Sequence, residues 1–377
     1  MTTKIAQEIQ MQWPMENNMS YNTVKEIQDA SNSLRCTNGL YSASAGEHYV
    51  ECVWLRDLYM QTLDIEKDQY LESWETFLDY LVLCEKKYGK FSYLIEMPDE
   101  AEEFHIRWGV SGNDECEREW GHRQFDAWGM ALIAISKEAD VLLGNDKYRH
   151  IVGLFVEALI AQRFWETSDC GAWEENHEIR QSSIACAASG LVDIEKHYPE
   201  LASQINHAVN KSITVIREFG TNETEHRNAD LAQLHGVWFG VPRRVMSRTQ
   251  GNAIIKNIES KLVRENGVIR YENDEYYNIN SRVTLYTYRG LFNAQAEGKL
   301  NGNEAEWTLG FPTLILAYAA CGMQPPKHYL NKMKTIAGSN NGVIPELYYS
   351  GTNICNLNKP LGWACNLFKI VLIGELT

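Results

Sequence analysis

The sequence predicts an all-α fold, a single toroid of paired helices, from three features. Roughly a dozen stretches carry apolar residues at helical spacing, and neither strand-helix alternation nor a Pro/Ser-rich linker divides them. The acidic and aromatic residues that interrupt the apolar pattern fall in loops just ahead of helices. A ring of helical hairpins with a pocket at one end produces that arrangement. One domain over residues 1–377 is expected, long enough for a sizeable core.

In chain order, segment 22–34 opens with Asn22 as a cap and places Val24, Ile27, Ala30 and Leu34 on one helical face. After a Gly/Ser-rich loop, Cys52 to Asp57 opens an apolar helix running toward Leu63, with Trp54 at its head. A charged Arg56-Asp57 pair in that setting is unusual. It is either an internal salt bridge anchoring the helix end or a fork of donors and an acceptor aimed into a cavity. Residues 71–87 place Trp74, Phe77, Leu78, Leu81 and Val82 along one amphipathic face.

The following stretch, from Phe91 to Gly121, is acidic and irregular, with the length of a functional excursion. It ends in Trp120-Gly121-His122-Arg123-Gln124-Phe125-Asp126, ahead of a helix over 127–143. His122 has no second histidine at metal spacing, so it reads as a satisfied polar loop residue and no metal is assigned. Helix 147–163 leads through Phe164-Trp165 and a turn at Ser168 to Gly171 into Trp173-Glu174-Glu175. The next helix begins near Ile179 and runs through Ile184, Ala188 and Leu191. Both glutamates therefore belong to a loop, where function concentrates, and not to a solvated helix face.

Helices are expected at 200–219, at 229–240 starting from Asp230, and at 250–263. The loop from Gly267 to Tyr277 then crowds acids and tyrosines around Arg270, which is costly unless the cluster is solvated or organised around a polar ligand. Glu306-Trp307 precedes helix 308–321, with Pro312 near its first turn, where proline is tolerated. A helix over 327–337, the Gly-rich turn Gly338 to Gly342, and Ile344 to Tyr349 with Glu346 follow. The last helix, 361–372, carries Trp363.

Composition narrows the partner. Fifty acidic against 35 basic side chains give a formal net charge of −15, which opposes nucleic acid, because phosphate binding needs a basic face. The 11 Trp and 19 Tyr, several beside Glu, Asp or Arg, suit a carbohydrate pocket, where rings stack and carboxylates accept hydroxyl protons. Nine scattered cysteines, without a CxxC pair, read as reduced thiols, with Cys84, Cys186, Cys321 and Cys365 in apolar helical contexts. With no signal-peptide pattern and no apolar run of membrane-spanning length, a soluble cytoplasmic protein is expected.

The ordered set Trp54-Leu55-Arg56-Asp57, Gly121 to Asp126, Trp173-Glu174-Glu175, Gly267 to Tyr277, Glu306-Trp307, Pro345-Glu346 and Pro360-Leu361-Gly362-Trp363-Ala364 resembles glycoside hydrolase family 15, the glucoamylase-like enzymes, over about residues 36–372. The resemblance implies an (α/α)6 barrel and an inverting hydrolase that works from the non-reducing end of an α-glucoside without a cofactor. It maps the general acid to Glu174, a substrate contact to Glu175 and the general base to Glu346. It places Arg56, Asp57 and Arg270 on hydroxyls of the terminal glucose, and Trp54, Trp120, Trp173, Trp307 and Trp363 along the pocket wall.

The chemistry fits on its own: an inverting glycosidase needs a protonated carboxyl for the leaving oxygen and an ionised one for water, roughly 6.5–9.5 Å apart. An aromatic pocket would hold Glu174 protonated and a polar rim would leave Glu346 charged. The chain departs from the family in lacking room for a β-sandwich or starch-binding module, which favours a short soluble oligosaccharide. A longer stretch over 278–305 reshapes the rim and with it the linkage preference. Two alternatives stand beside the glucosidase: an α,α-trehalase of the same family, and a catalytically silent glycan-binding module resembling phosphorylase kinase regulatory subunits. Oligomeric state is not assigned.

Overall fold

The computed structural model describes residues 21–46, 49–99, 103–112, 121–280 and 300–376. Twelve helices alternate between an outer and an inner ring. The outer ones are α1 (Tyr21–Asn32), α3 (Lys67–Tyr88), α5 (Asp146–Ala161), α7 (Ala202–Phe219), α9 (Arg248–Leu262) and α11 (Lys327–Ser339). The inner ones are α2 (Leu55–Gln61), α4 (Phe125–Lys137), α6 (Gln181–Ile194), α8 (Gln233–Gly240), α10 (Gly310–Ala320) and α12 (Gly362–Leu376). Each inner helix packs on the next, and α12 closes the ring against α2, giving an (α/α)6 barrel.

Sequence chemistry separates the rings. Outer helix α7 buries only a stripe, Ile205, Ala208, Ser212 and Ile216, as expected of an amphipathic helix with one face on a core. Inner helix α4 is buried continuously from Phe125 to Ile135, as a helix hydrophobic on all sides must be. The closest approach in the inner ring is between α4 and α6. A Cβ added to Gly129 would lie 2.1 Å from the Cys186 carbonyl oxygen, and one added to Gly190 would lie 2.4 Å from that of Gly129. Only glycine lets these two backbones touch.

Several expectations shift. The helix α1 begins at Tyr21, so Asn22 lies inside it and not at its cap. The expected helix 127–143 divides at Glu138 into α4 and a short turn of helix, Ala139–Leu142. The helix expected from Asp230 starts at Gln233, because the Asp230 carboxylate accepts from the Ala232 N–H at 2.8 Å and holds the lead-in as a turn. Cys52–Trp54 is a strand, β1, paired antiparallel with β2 (Arg107–Gly109), and helix α2 starts only at Leu55. A second pair joins β3 (Glu306–Trp307) to β4 (Leu347–Tyr348). Strands of two or three residues are too short to leave a two-residue period in the sequence. None of the eight described cysteines is in a disulfide, and Cys84, Cys186, Cys321 and Cys365 are buried. No described helix is long and apolar enough to cross a membrane.

Candidate active site

The loops that lead into the inner helices gather at one mouth of the barrel. Trp54, Arg56 and Asp57 come from β1 and the first turn of α2; Trp173, Glu174 and Glu175 precede α6; Arg270 and Trp307 precede α10; Glu346 immediately precedes β4 and Trp363 lies in the first turn of α12. Trp120 lies outside the described residues.

Glu174 sits at the tip of a closed loop. Asp169 and Glu178 exchange backbone hydrogen bonds at its neck, and the Glu175 N–H donates to the Cys170 carbonyl at 3.1 Å. Glu174 itself has φ = +61°, a left-handed conformation that is strained in a residue other than glycine and recurs at functional sites. Its side chain keeps 23% exposure, directed into the pocket between Arg56, 4.0 Å away, and the charges of Asp57, Arg107 and Arg270. Burial pushes its carboxyl up to about 8, more than Arg56 pulls it down, with Asp57 reinforcing the rise.

Glu346 is buried, and its carboxylate is engaged by donors. Asn356 and Asn358 each donate a side-chain amide to Oε2 at 2.6 Å, and the Tyr49 hydroxyl donates to Oε1 at 3.1 Å. Burial raises its proton affinity above the ordinary carboxylate range, and the three hydrogen bonds oppose that rise. Tyr49 also meets the Tyr276 hydroxyl at 3.2 Å and packs its ring on Trp54, so the Glu346 side of the pocket is joined to the aromatic wall. Tyr49 feels both Glu346 and Glu174, and Asp57 feels Glu346 while Glu174 feels Asp57, so the two glutamates share Tyr49 and Asp57 as electrostatic neighbours.

Arg56 resolves the question its sequence posed, with a different partner. Its guanidinium binds Asp126 through Nε at 2.8 Å and Nη2 at 3.2 Å, and donates to Gln124 Oε1 at 2.6 Å. It is therefore a buried anchor between α2 and α4, and not bonded to Asp57. The Asp57 carboxyl receives no hydrogen bond from another described side chain, and burial raises it to about 7 despite the pull of Arg56.

Arg270 pairs with Asp274 at 2.6 and 2.5 Å and reaches Glu175 at 3.2 Å, with Trp173, Tyr276 and Trp307 around its guanidinium. Burial would raise Glu175, yet Arg270, a 2.6 Å bond from Tyr271 and Arg227 together bring it below its ordinary range. Adjacent glutamates thus sit in opposite charge states, one held protonated and one ionised. Trp173 donates its indole N–H to Asp230 at 2.8 Å, whereas the buried indole N–H groups of Trp307 and Trp363 meet no acceptor among the described residues. Trp363 lies between Arg56 and His235, whose ring is buried and driven down to about 3 by desolvation. His122 is buried and stacks on His105 at 4.0 Å.

Sequence reasoning assigned no role to Tyr49, Arg107, Asp126, Tyr276, Asn356 or Asn358. Tyr49 carried the same signal as the other loops, an aromatic beside carboxylates in Glu51 and Glu47, within a stretch otherwise rich in Gly and Ser. The two asparagines carried none, since amides in a loop are commonplace.

No protein-family model and no curated protein matches the chain. Solved structures do. A glycosidase variant in complex with glucose aligns over 95% of this chain and 99% of its own at 18% identity, with a TM-score of 0.71. The glucoamylase of Saccharomycopsis fibuligera aligns over 97% and 98% at 11% identity and TM-score 0.54. The glycoside hydrolase family 15 glucoamylase of Hypocrea jecorina aligns over 94% of this chain and 70% of its own at 13% identity and TM-score 0.59. The fold is therefore glucoamylase-like.

Proposed function

We propose that the chain is an inverting, exo-acting glycoside hydrolase that releases β-glucose from the non-reducing end of short α-1,4- or α-1,6-linked gluco-oligosaccharides. The observation that carries the proposal is the contrast between a part-exposed Glu174 and a buried Glu346. Glu174 holds its proton to about 8, while Glu346 is clasped by three donors that favour its charged form. The glycosidase and glucoamylase likenesses, one with glucose bound, support a sugar as the substrate class.

In this scheme Glu174 gives its proton to the glycosidic oxygen as the C1–O bond breaks, so the remainder leaves as a neutral alcohol. Glu346 takes a proton from a water whose oxygen attacks C1 from the opposite face, and the configuration inverts. The charge that develops at the sugar ring is met by the ionised Glu175 and Glu346, and Arg270 and Asp57 offer a donor and an acceptor to glucose hydroxyls. Trp54, Trp173, Trp307 and Trp363 form the apolar wall. The stretch 278–305, proposed to set the linkage preference, lies mostly outside the described residues, as does Trp120.

Glucose release from maltose, isomaltose, kojibiose, nigerose, trehalose and dextrin, with the initial anomer followed by NMR, tests the proposal. Initial β-glucose from an α-1,4- or α-1,6-linked disaccharide is expected. Initial α-glucose would refute inversion, and hydrolysis of trehalose alone would replace the substrate assignment.

A further inference from the structure

A second polar concavity lies on the outer wall of the barrel, and shares no residue with the mouth. It has a volume of about 620 Å³ and is bounded by α7, the loop 241–247 between α8 and α9, the first turn of α9 and the end of α10. Three arginines line it, Arg217 from α7, Arg244 from the loop and Arg248 from the start of α9, and no acidic side chain does. Among the described residues none of these guanidinium groups has a hydrogen-bond or ion-pair partner.

In a chain with 15 more acids than bases this is an anomaly. Several of its other arginines sit on carboxylates, as Arg56 does on Asp126, Arg243 on Asp193 and Arg270 on Asp274. All three arginines are exposed, so water screens their mutual repulsion, but three like charges around one space still favour an anion there. The loop that carries Arg244 is fixed before any ligand arrives. Arg243, its neighbour, binds Asp193 at 2.9 and 2.6 Å and the Phe239 carbonyl at 3.0 Å. Arg244 itself is held at φ = +62°, a conformation that glycine would take without strain.

We propose that this cavity is a second ligand site, for a phosphate monoester. Guanidinium groups match phosphate oxygens in geometry as well as charge. The volume is in the range of about 300–1,000 Å³ that holds a whole small molecule, larger than a bare phosphate needs. Val241, Pro242, Val245 and Met246 supply the apolar wall for the body of such an ester. The site is separate from the glucoside pocket and stands whether or not the hydrolase proposal does.

Isothermal titration calorimetry on the full chain tests it, with adenosine 5′-monophosphate, glucose 6-phosphate and inorganic phosphate as probes. At least one ester is expected to bind saturably at one site, tenfold or more weaker in R244Q/R248Q and weaker again as salt rises. Arg217→Gln, on the opposite wall, is expected to weaken it too, with circular dichroism melts showing that both variants fold. Saturating glucose is expected to leave the binding unchanged. The proposal is overturned by absence of saturable binding, by full retention in both arginine variants, or by displacement with glucose, which would place the ester in the mouth. Inorganic phosphate binding as tightly as the esters would overturn the assignment to an ester.

Discussion

At the scale of single residues, the candidate chemistry rests on how burial and hydrogen bonding divide the carboxyl groups. Glu174 gains its proton from desolvation and a neighbouring acid, so replacing it with Gln removes the donor while keeping the shape. Glu174→Gln is expected to lower kcat on disaccharides by roughly 10³-fold, the scale of general acid catalysis, and much less on glucosyl fluoride, whose leaving group needs no proton. Loss equal on both substrates would refute the role. In the wild type the alkaline limb of the pH–rate profile is expected near 8, where Glu174 loses its proton. In the proposed mechanism the acid limb belongs to Glu346. Each asparagine on its Oε2 stabilises the ionised form, so Asn358→Ala raises its proton affinity, moves the acid limb to higher pH and lowers kcat/KM roughly tenfold, the cost of losing one hydrogen bond to a charge. An unchanged limb with reduced stability would make Asn358 purely structural. Asn358→Asp places a second carboxyl beside Glu346 and is expected to move the limb further in the same direction.

At the scale of elements, the barrel depends on contacts where two inner helices meet without side chains between them. Gly129→Ala would set a methyl 2.1 Å from the Cys186 carbonyl oxygen, and backbone cannot yield as a flexible side chain can. Separation of α4 from α6 is expected to cost ~2 kcal/mol or more, read by guanidinium denaturation, with Gly190→Ala behaving alike. A variant as stable as the wild type would mean that the ring adjusts freely. The helices themselves were legible in sequence because periodic apolar residues mark their length: the ends of α5 and α7 fall within two residues of expectation. The strand β1 was not, because three residues pairing with partners 53 to 57 positions away leave only a local apolar run. Likewise, Glu174 and Glu346 stood out as acids among aromatics, whereas Arg56 gave its charge but not its partner. The Asp126 that binds it lies 70 positions downstream, and such a pairing is a property of the closed ring, not of either segment. The amides on Glu346 were invisible for another reason: Asn356 and Asn358 lie only 10 and 12 positions away, but amides in a loop are commonplace.

At the scale of the whole molecule, closing the ring buries acids that an open chain would hydrate, and their proton affinities tie stability to pH. Asp57 and Asp169 keep their protons to about 7 in the folded state and Glu174 to about 8, in each case chiefly because burial penalises the charge. In the unfolded chain all three ionise near 4. Between roughly pH 4 and 8 the folded form therefore holds more protons than the unfolded one, and stability falls as pH rises through that window. His235 acts the other way: its folded value of about 3 lies below the unfolded value near 6.5, so its contribution is lost as pH falls below 6.5. Above 6.5 the histidine is neutral in both states and only the acids remain. Thermal unfolding should accordingly show a lower Tm at pH 8.5 than at pH 6.5, by several degrees, while the decline below 6.5 is opposed by the acids. Asp169→Asn, at a position outside the candidate active site, removes one of the titrating groups and should flatten the alkaline decline without moving the pH–rate profile. A Tm that rises from pH 6.5 to 8.5 would mean that these carboxyls are ionised in the folded barrel, and Glu174 could then not serve as a proton donor at neutral pH.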